Sequence, residues 1–159
     1  MTQGPAIVWL RNDLRLADNP AIQAACGTGA PVLIVYVRDE VTEGSRPLGR
    51  ASKWWLHHSL VSLQSSVEAL GGTLVLRTGS GPDVIRQLVS DTGASAVFWN
   101  RRYGLAREAD ALLKEDLGGL GLTFESFAGI LLFEPWTVRT GEGNPFKVFT
   151  PFWRAALAG

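Results

Sequence analysis

Ala6-Ile-Val-Trp-Leu10 runs directly into Arg11-Asn-Asp-Leu-Arg-Leu-Ala17 and then Asp18-Asn-Pro20. The first five residues are continuously apolar, the pattern of a strand buried on both faces. The next seven form a turn that contains no glycine. Asp18-Asn-Pro20 supplies a helix cap and a proline for the first helical turn, predicting a short helix over Ala21 to Cys26. A doubly buried strand leading straight into a helix is how a parallel, helix-covered sheet begins.

The rest of the chain keeps that rhythm. Strands are predicted at Pro31 to Val37, Thr73 to Arg77, Ser95 to Trp99 and Leu122 to Phe127. Helices are predicted from Ser52 to Leu70, from the Gly79-Ser-Gly-Pro82 start to Thr92, and from Leu105 to Leu117. Right-handed crossovers then give a doubly wound, Rossmann-like α/β fold: a five-stranded parallel sheet of order 3-2-1-4-5 with helices on both faces. The rhythm stops after Phe127. Residues 128–153 show no helix-strand pair, yet hold Phe133, Trp136, Phe146, Phe149, Phe152 and Trp153. A helix begins in the closing FTPFWRAALAG, and a further domain is expected beyond it. The division expected is 1–130 for the α/β domain and 131–159 for a connecting segment and the start of the next domain.

The chain of 159 residues is 46% apolar and 19% charged, a globular composition. Lysine plus arginine equals aspartate plus glutamate at 15 each, so polyanion binding cannot be argued from net charge. One cysteine, Cys26, leaves no intrachain disulfide and suits a reducing compartment. The N-terminus lacks the pattern of a secretion signal and no apolar run nears the ~20 residues of a membrane span, so a cytoplasmic location is expected.

Several chemistries are missing. No G-x-G-x-x-G follows the first strand, and there is no phosphate loop, nucleophile elbow or cysteine-histidine zinc cluster. Gly79-Ser-Gly81 could hold an anion on free backbone amides, or simply open a helix. In a doubly wound sheet ligands sit at the carboxyl ends of strands where the order reverses, here between the first and fourth. The loops meeting there carry Arg11, Asn12, Asp13, Arg15 and Asp18 on one side and Asn100, Arg101, Arg102 and Tyr103 on the other. Opposed charges can pair and fix the loops; Asn100 and Tyr103 are the stronger ligand candidates.

The stretch Ser52-Lys-Trp-Trp-Leu-His-His-Ser-Leu60 holds both histidines and two of the six tryptophans. At ~100° per residue, Leu56, Leu60, Leu63, Val67 and Leu70 form the stripe that docks on the sheet. Trp54 and His58 point to the opposite side, and Trp55 lies between. Trp54 would be covered by the Arg38 to Arg50 loop, by a planar ligand or by a neighbouring domain. His57 and His58, ~100° apart, make a poor metal pair, and no metal is expected.

Four segments resemble the N-terminal domain of the DNA photolyase/cryptochrome family: Trp9-Leu-Arg-Asn-Asp-Leu-Arg-Leu-Ala-Asp-Asn-Pro20, Val97-Phe-Trp-Asn-Arg-Arg-Tyr103, Leu131-Leu-Phe-Glu-Pro135 and Phe146-Lys-Val-Phe-Thr-Pro-Phe-Trp153. SKWWLHHSL is most similar to bacterial class III cyclobutane-dimer photolyases. The resemblance implies a light-harvesting domain whose antenna chromophore passes energy to FAD in a C-terminal helical domain, where pyrimidine dimers in DNA are split. It implies antenna contacts at Trp54, Trp55, His58, Arg11, Asn12, Asp13, Asn100, Arg101 and Tyr103, and a domain interface at Phe146, Lys147, Phe149, Phe152 and Trp153. Methenyltetrahydrofolate is the favoured antenna and a deazaflavin the second. One folate-binding branch has an acidic residue where Gly104 stands, which argues against folate held in that manner. The chain alone carries no catalytic residue of the reaction. A full-length monomer is expected, reaching DNA through its other domain. A cryptochrome-type blue-light receptor and a free-standing adenine-nucleotide-binding domain are the competing functions.

Overall fold

The computed structural model describes residues 4–42, 47–104, 106–119 and 121–158. The expected helix start at Leu105, the first three residues of the α/β domain and residues 43–46 of the loop before the long helix lie outside them. Five strands, β1 Ala6–Leu10, β2 Val32–Arg38, β3 Leu74–Thr78, β4 Ala96–Asn100 and β5 Thr123–Phe127, form one sheet of order β3-β2-β1-β4-β5. Every adjacent pair is parallel. The fold class read from the sequence is therefore the fold observed.

The crossover helices are α1 Pro20–Gly27, α2 Arg50–Ala69, α3 Gly81–Thr92 and α4 Ala106–Gly118; α5 Phe149–Ala158 follows the sheet. β1 and β4 are buried at all five positions. Alternate residues then feed two cores, as the two-residue strand period requires. Val8, Leu10, Ala96 and Phe98 meet α1 and α2 on one face. Ile7, Trp9, Val97 and Trp99 meet α3 and α4 on the other. Asn19 caps α1, its side chain accepting from the Ile22 amide, with Pro20 in the first turn.

The long helix departs from the stripe drawn on its sequence. Leu63 and Val67 are buried and Leu60 packs against the same core, but Leu70 is 80% exposed. Leu70 is the C-cap, and Gly71-Gly72 turns the chain away there. At the other end, none of residues 50–58 is buried. The helix docks through its C-terminal half, and its first two turns are left free of the sheet.

Candidate functional site

The strand order reverses between β1 and β4, and the crevice expected there is filled. Asp13 and Asn100 are 1% and 0% exposed. One Asp13 oxygen accepts from the Arg11 amide at 2.8 Å, and the other from the Asn100 side-chain amide at 2.6 Å. The same Asn100 nitrogen donates to Asn19 at 2.9 Å. Arg11 donates to both oxygens of Asp110 at 3.2 Å, and also to the Asn100 carbonyl. Burial pulls the Arg11 guanidinium down to about 10, although Asp110 opposes this. Arg102 reaches the same Asp110 at 2.6 Å. A methyl group on Gly129 would sit 2.4 Å from the Asn100 amide, so only glycine lets the chain pass here.

The loop after β4 is tied to the segment connecting β5 and α5. Glu134 accepts from Arg101 Nε at 3.1 Å and from the Tyr103 hydroxyl at 2.9 Å. Burial, then this carboxylate, raises the Tyr103 phenol above its ordinary value. The start of α3 is tied as well: the Gly81 amide donates to Asp39 at 2.8 Å. Burial pushes the Asp39 carboxyl up, but hydrogen bonds from Thr42, Gly81 and Val41 outweigh it and hold it below its ordinary value. A methyl on Gly81 would lie 2.5 Å from the Trp9 ring. The anion at this helix start is thus the chain's own carboxylate, and Gly79-Ser-Gly81 opens a helix.

An open cleft lies one strand over, between the loop after β1 and the free turns of α2. It is a cleft of about 880 Å³ bordered by Arg11, Asn12, Asp13, Arg15, Trp54 and Trp55, with Tyr36 and Leu48 also reaching it. Trp54 and Trp55 are 62% and 69% exposed, their rings 6.5 Å apart and tilted by 43°. His58 meets Trp54 edge-on at 4.4 Å. Of the expected antenna contacts, Arg11, Asn12, Asp13, Trp54 and Trp55 border this cleft and His58 supports it. Asn100 is enclosed, while Arg101 and Tyr103 face Glu134. Sequence reasoning passed over Asn19, Asp39, Asp110 and Glu134, whose partners lie in distant segments or, for Asn19, were masked by its reading as a cap.

The donor set suits a flat, partly polar group: two exposed indoles offer ring faces, and Asn12 and Arg15 offer polar contacts at the opposite edge. Among the described residues no cluster of three or more metal-ligating side chains occurs, and no helix is long and apolar enough to cross a membrane.

A doubly wound parallel sheet with an open cleft at the carboxyl ends of its strands defines a Rossmann-like α/β domain. Its family follows from residues 6–159, which match the DNA photolyase family model: the chain belongs to the DNA photolyase family. It is 51% identical over 154 residues to a deoxyribodipyrimidine photo-lyase of Agrobacterium fabrum, covering 95% of this chain and 31% of that protein. It is 40% identical over 157 residues to cryptochrome-1 of Arabidopsis thaliana, covering 98% and 23%. The crystal structure of a bacterial class III photolyase from Agrobacterium tumefaciens superposes with a TM-score of 0.91 at 48% identity, over 100% of this chain and 33% of that one. The chain thus spans a third or less of the length of these relatives, and it matches their N-terminal α/β domain.

Proposed function

We propose that the chain is the light-harvesting domain of a deoxyribodipyrimidine photolyase. The observation that carries this reading is the pair of exposed indoles on an open cleft at the strand ends, in a chain of this family. When bound, the antenna absorbs near-ultraviolet or blue light and supplies excitation energy to FAD in a C-terminal helical domain. Trp54 and Trp55 stack on its ring system, His58 steadies the Trp54 indole, and Asn12 and Arg15 address its polar edge. Arg11 and Asp13 hold the loop that carries Asn12, while Asn100, Arg101 and Tyr103 fix the neighbouring loop. The two indoles favour methenyltetrahydrofolate, with a deazaflavin second.

In this reading residues 1–130 are the antenna domain and 131–159 lead into the helical domain. Phe146, Lys147, Phe149, Phe152 and Trp153 would meet that domain; Phe149 and Trp153 are stacked at 6.1 Å and both exposed. The whole protein would act in the cytoplasm as a monomer and reach pyrimidine dimers in DNA through the helical domain. An absorption spectrum of the full-length protein, before and after ligand extraction, tests the antenna. A folate or deazaflavin band beside the flavin is expected, and flavin bands alone would overturn the reading.

The identity to a plant cryptochrome favours a second reading, the same domain of a blue-light receptor. Full-length protein with reduced flavin should restore dimer-containing DNA under blue light if it is a photolyase. Retained flavin without repair points to the receptor.

A further inference from the structure

A second, smaller cleft of about 270 Å³ lies on the other face of the sheet, among α4, β5 and the connecting segment. Arg101, Arg102, Arg107 and Lys114 border it, with Asp110 the one carboxylate among the lining residues. Glu134 neutralises Arg101 at 3.0 Å. Asp110 is shared between Arg11 at 3.2 Å and Arg102 at 2.6 Å, so that trio keeps one positive charge.

Among the described residues, neither Lys114 nor Arg107 has a carboxylate within 4.0 Å. Lys114 donates instead to the Ser126 hydroxyl at 2.8 Å and lies 5.4 Å from the Trp99 ring. Arg107 lies 5.5 Å from the Trp136 ring. Burial draws the Lys114 amine below its ordinary value, and Arg101 adds to this against Asp110 and Glu125. Among the described residues, Arg102 Nε is a buried donor with no acceptor. Set against Asp110 and Glu125, the charges of Arg11, Arg102, Arg107 and Lys114 leave two in excess around a cleft whose lining includes Trp99 and Trp136.

Unbalanced cations in a confined space attract an anion with several acceptor oxygens, and charge-assisted hydrogen bonds to it are the strong ones. Trp136, which is exposed, offers an indole face as well. We propose that this cleft binds a phosphate-bearing small molecule, of mononucleotide size or less, separately from the antenna cleft. Because Trp136 and Glu134 belong to the connecting segment, the ligand would sit where that segment meets the α/β domain.

Calorimetric titration of the chain with inorganic pyrophosphate and with adenosine monophosphate, at constant ionic strength, tests this. Saturable binding with a Kd of about 1 mM or tighter is expected for at least one probe. Lys114→Met should weaken it about tenfold and Arg107→Gln about threefold or more. Arg107 is on the exposed surface, so its variant carries the test if Lys114→Met does not fold. Arg77→Gln on the far edge strand and Trp54→Ala in the antenna cleft should leave it unchanged, which separates this site from the proposed antenna site. Absence of saturation by both probes, or equal affinity of Arg107→Gln and the unsubstituted chain, would overturn the proposal.

Discussion

Two regions at the carboxyl edge of the sheet treat their unusual residues in opposite ways. At the ends of β1 and β4, Arg11, Asp13, Asn19, Asn100 and Asp110 are buried and bonded to one another. On the first turns of α2, Trp54, Trp55, His57 and His58 are exposed and touch chiefly each other. Burying a polar residue costs stability unless its hydrogen bonds are made, and in the first region most are made, leaving Arg11 Nε and Asn100 Oδ1 without a partner among the described residues. Exposing a large indole forfeits burial energy of about 1.5–3 kcal/mol, so the second gains nothing for this domain's own fold. The polar residues of the first region spend most of their hydrogen bonds on one another, whereas the indoles of the second leave their faces exposed.

That contrast is broken most readily at Asp13. Asp13→Ala strands the Arg11 amide and leaves the Asn100 amide only its bond to Asn19, in a dry site, and should cost about 3 kcal/mol or more in urea unfolding. A cost below about 1 kcal/mol would mean that water enters the network and that the first region is not closed. Glu134→Gln is next. It weakens the bonds from Arg101 and Tyr103 that hold the connecting segment, at about 1.5 kcal/mol, and should speed proteolysis between Phe127 and Phe149. Unaltered proteolysis would mean that the segment is held elsewhere.

Asp39→Ala should cost about 1 kcal/mol at pH 7, as loss of a helix-start acceptor does. Its carboxyl is held below the ordinary value in the folded chain, so its stabilisation is complete above the unfolded carboxylate pKa of about 4 and lost as pH falls through the lower folded one. The difference in Tm between the chain and this variant should therefore shrink between pH 7 and pH 3. A constant difference would show that Asp39 acts through packing rather than charge.

The sheet was legible because apolar runs at β1 and β4 have a single reading: five continuous apolar residues between turns need cover on both faces. Residue types also located the free indoles, since Trp54 falls opposite Leu63 and Val67 at the helical period. Leu70 misled because a helical wheel assumes that the whole helix lies on the sheet, whereas the contact ends at Val67, one turn before Leu70 caps the helix and Gly71-Gly72 turns the chain away. The polar network was illegible for a different reason. Arg11 and Asp110 are 99 positions apart, and Glu134 is 33 from Arg101. A charge carries no local sign of its distant partner. Gly81 and Gly129 were equally silent, because the Trp9 ring and the Asn100 amide that exclude a side chain there come from other strands.

The smallest expected effect on stability is the most informative for function. Trp54→Ala removes an indole that is 62% exposed, against 1% for Trp9. A buried tryptophan truncated to alanine costs about 3–5 kcal/mol, whereas a surface change of this kind should stay near 0.5 kcal/mol. Urea unfolding of the chain reads that number directly. The same substitution in the full-length protein should lower the antenna absorbance retained per flavin, because the ring face it offered is gone. Stability unchanged with antenna lost would assign Trp54 to the ligand. Stability and antenna both unchanged would assign it to the helical domain, and a loss of several kcal/mol would place it in this domain's own core and erase the contrast.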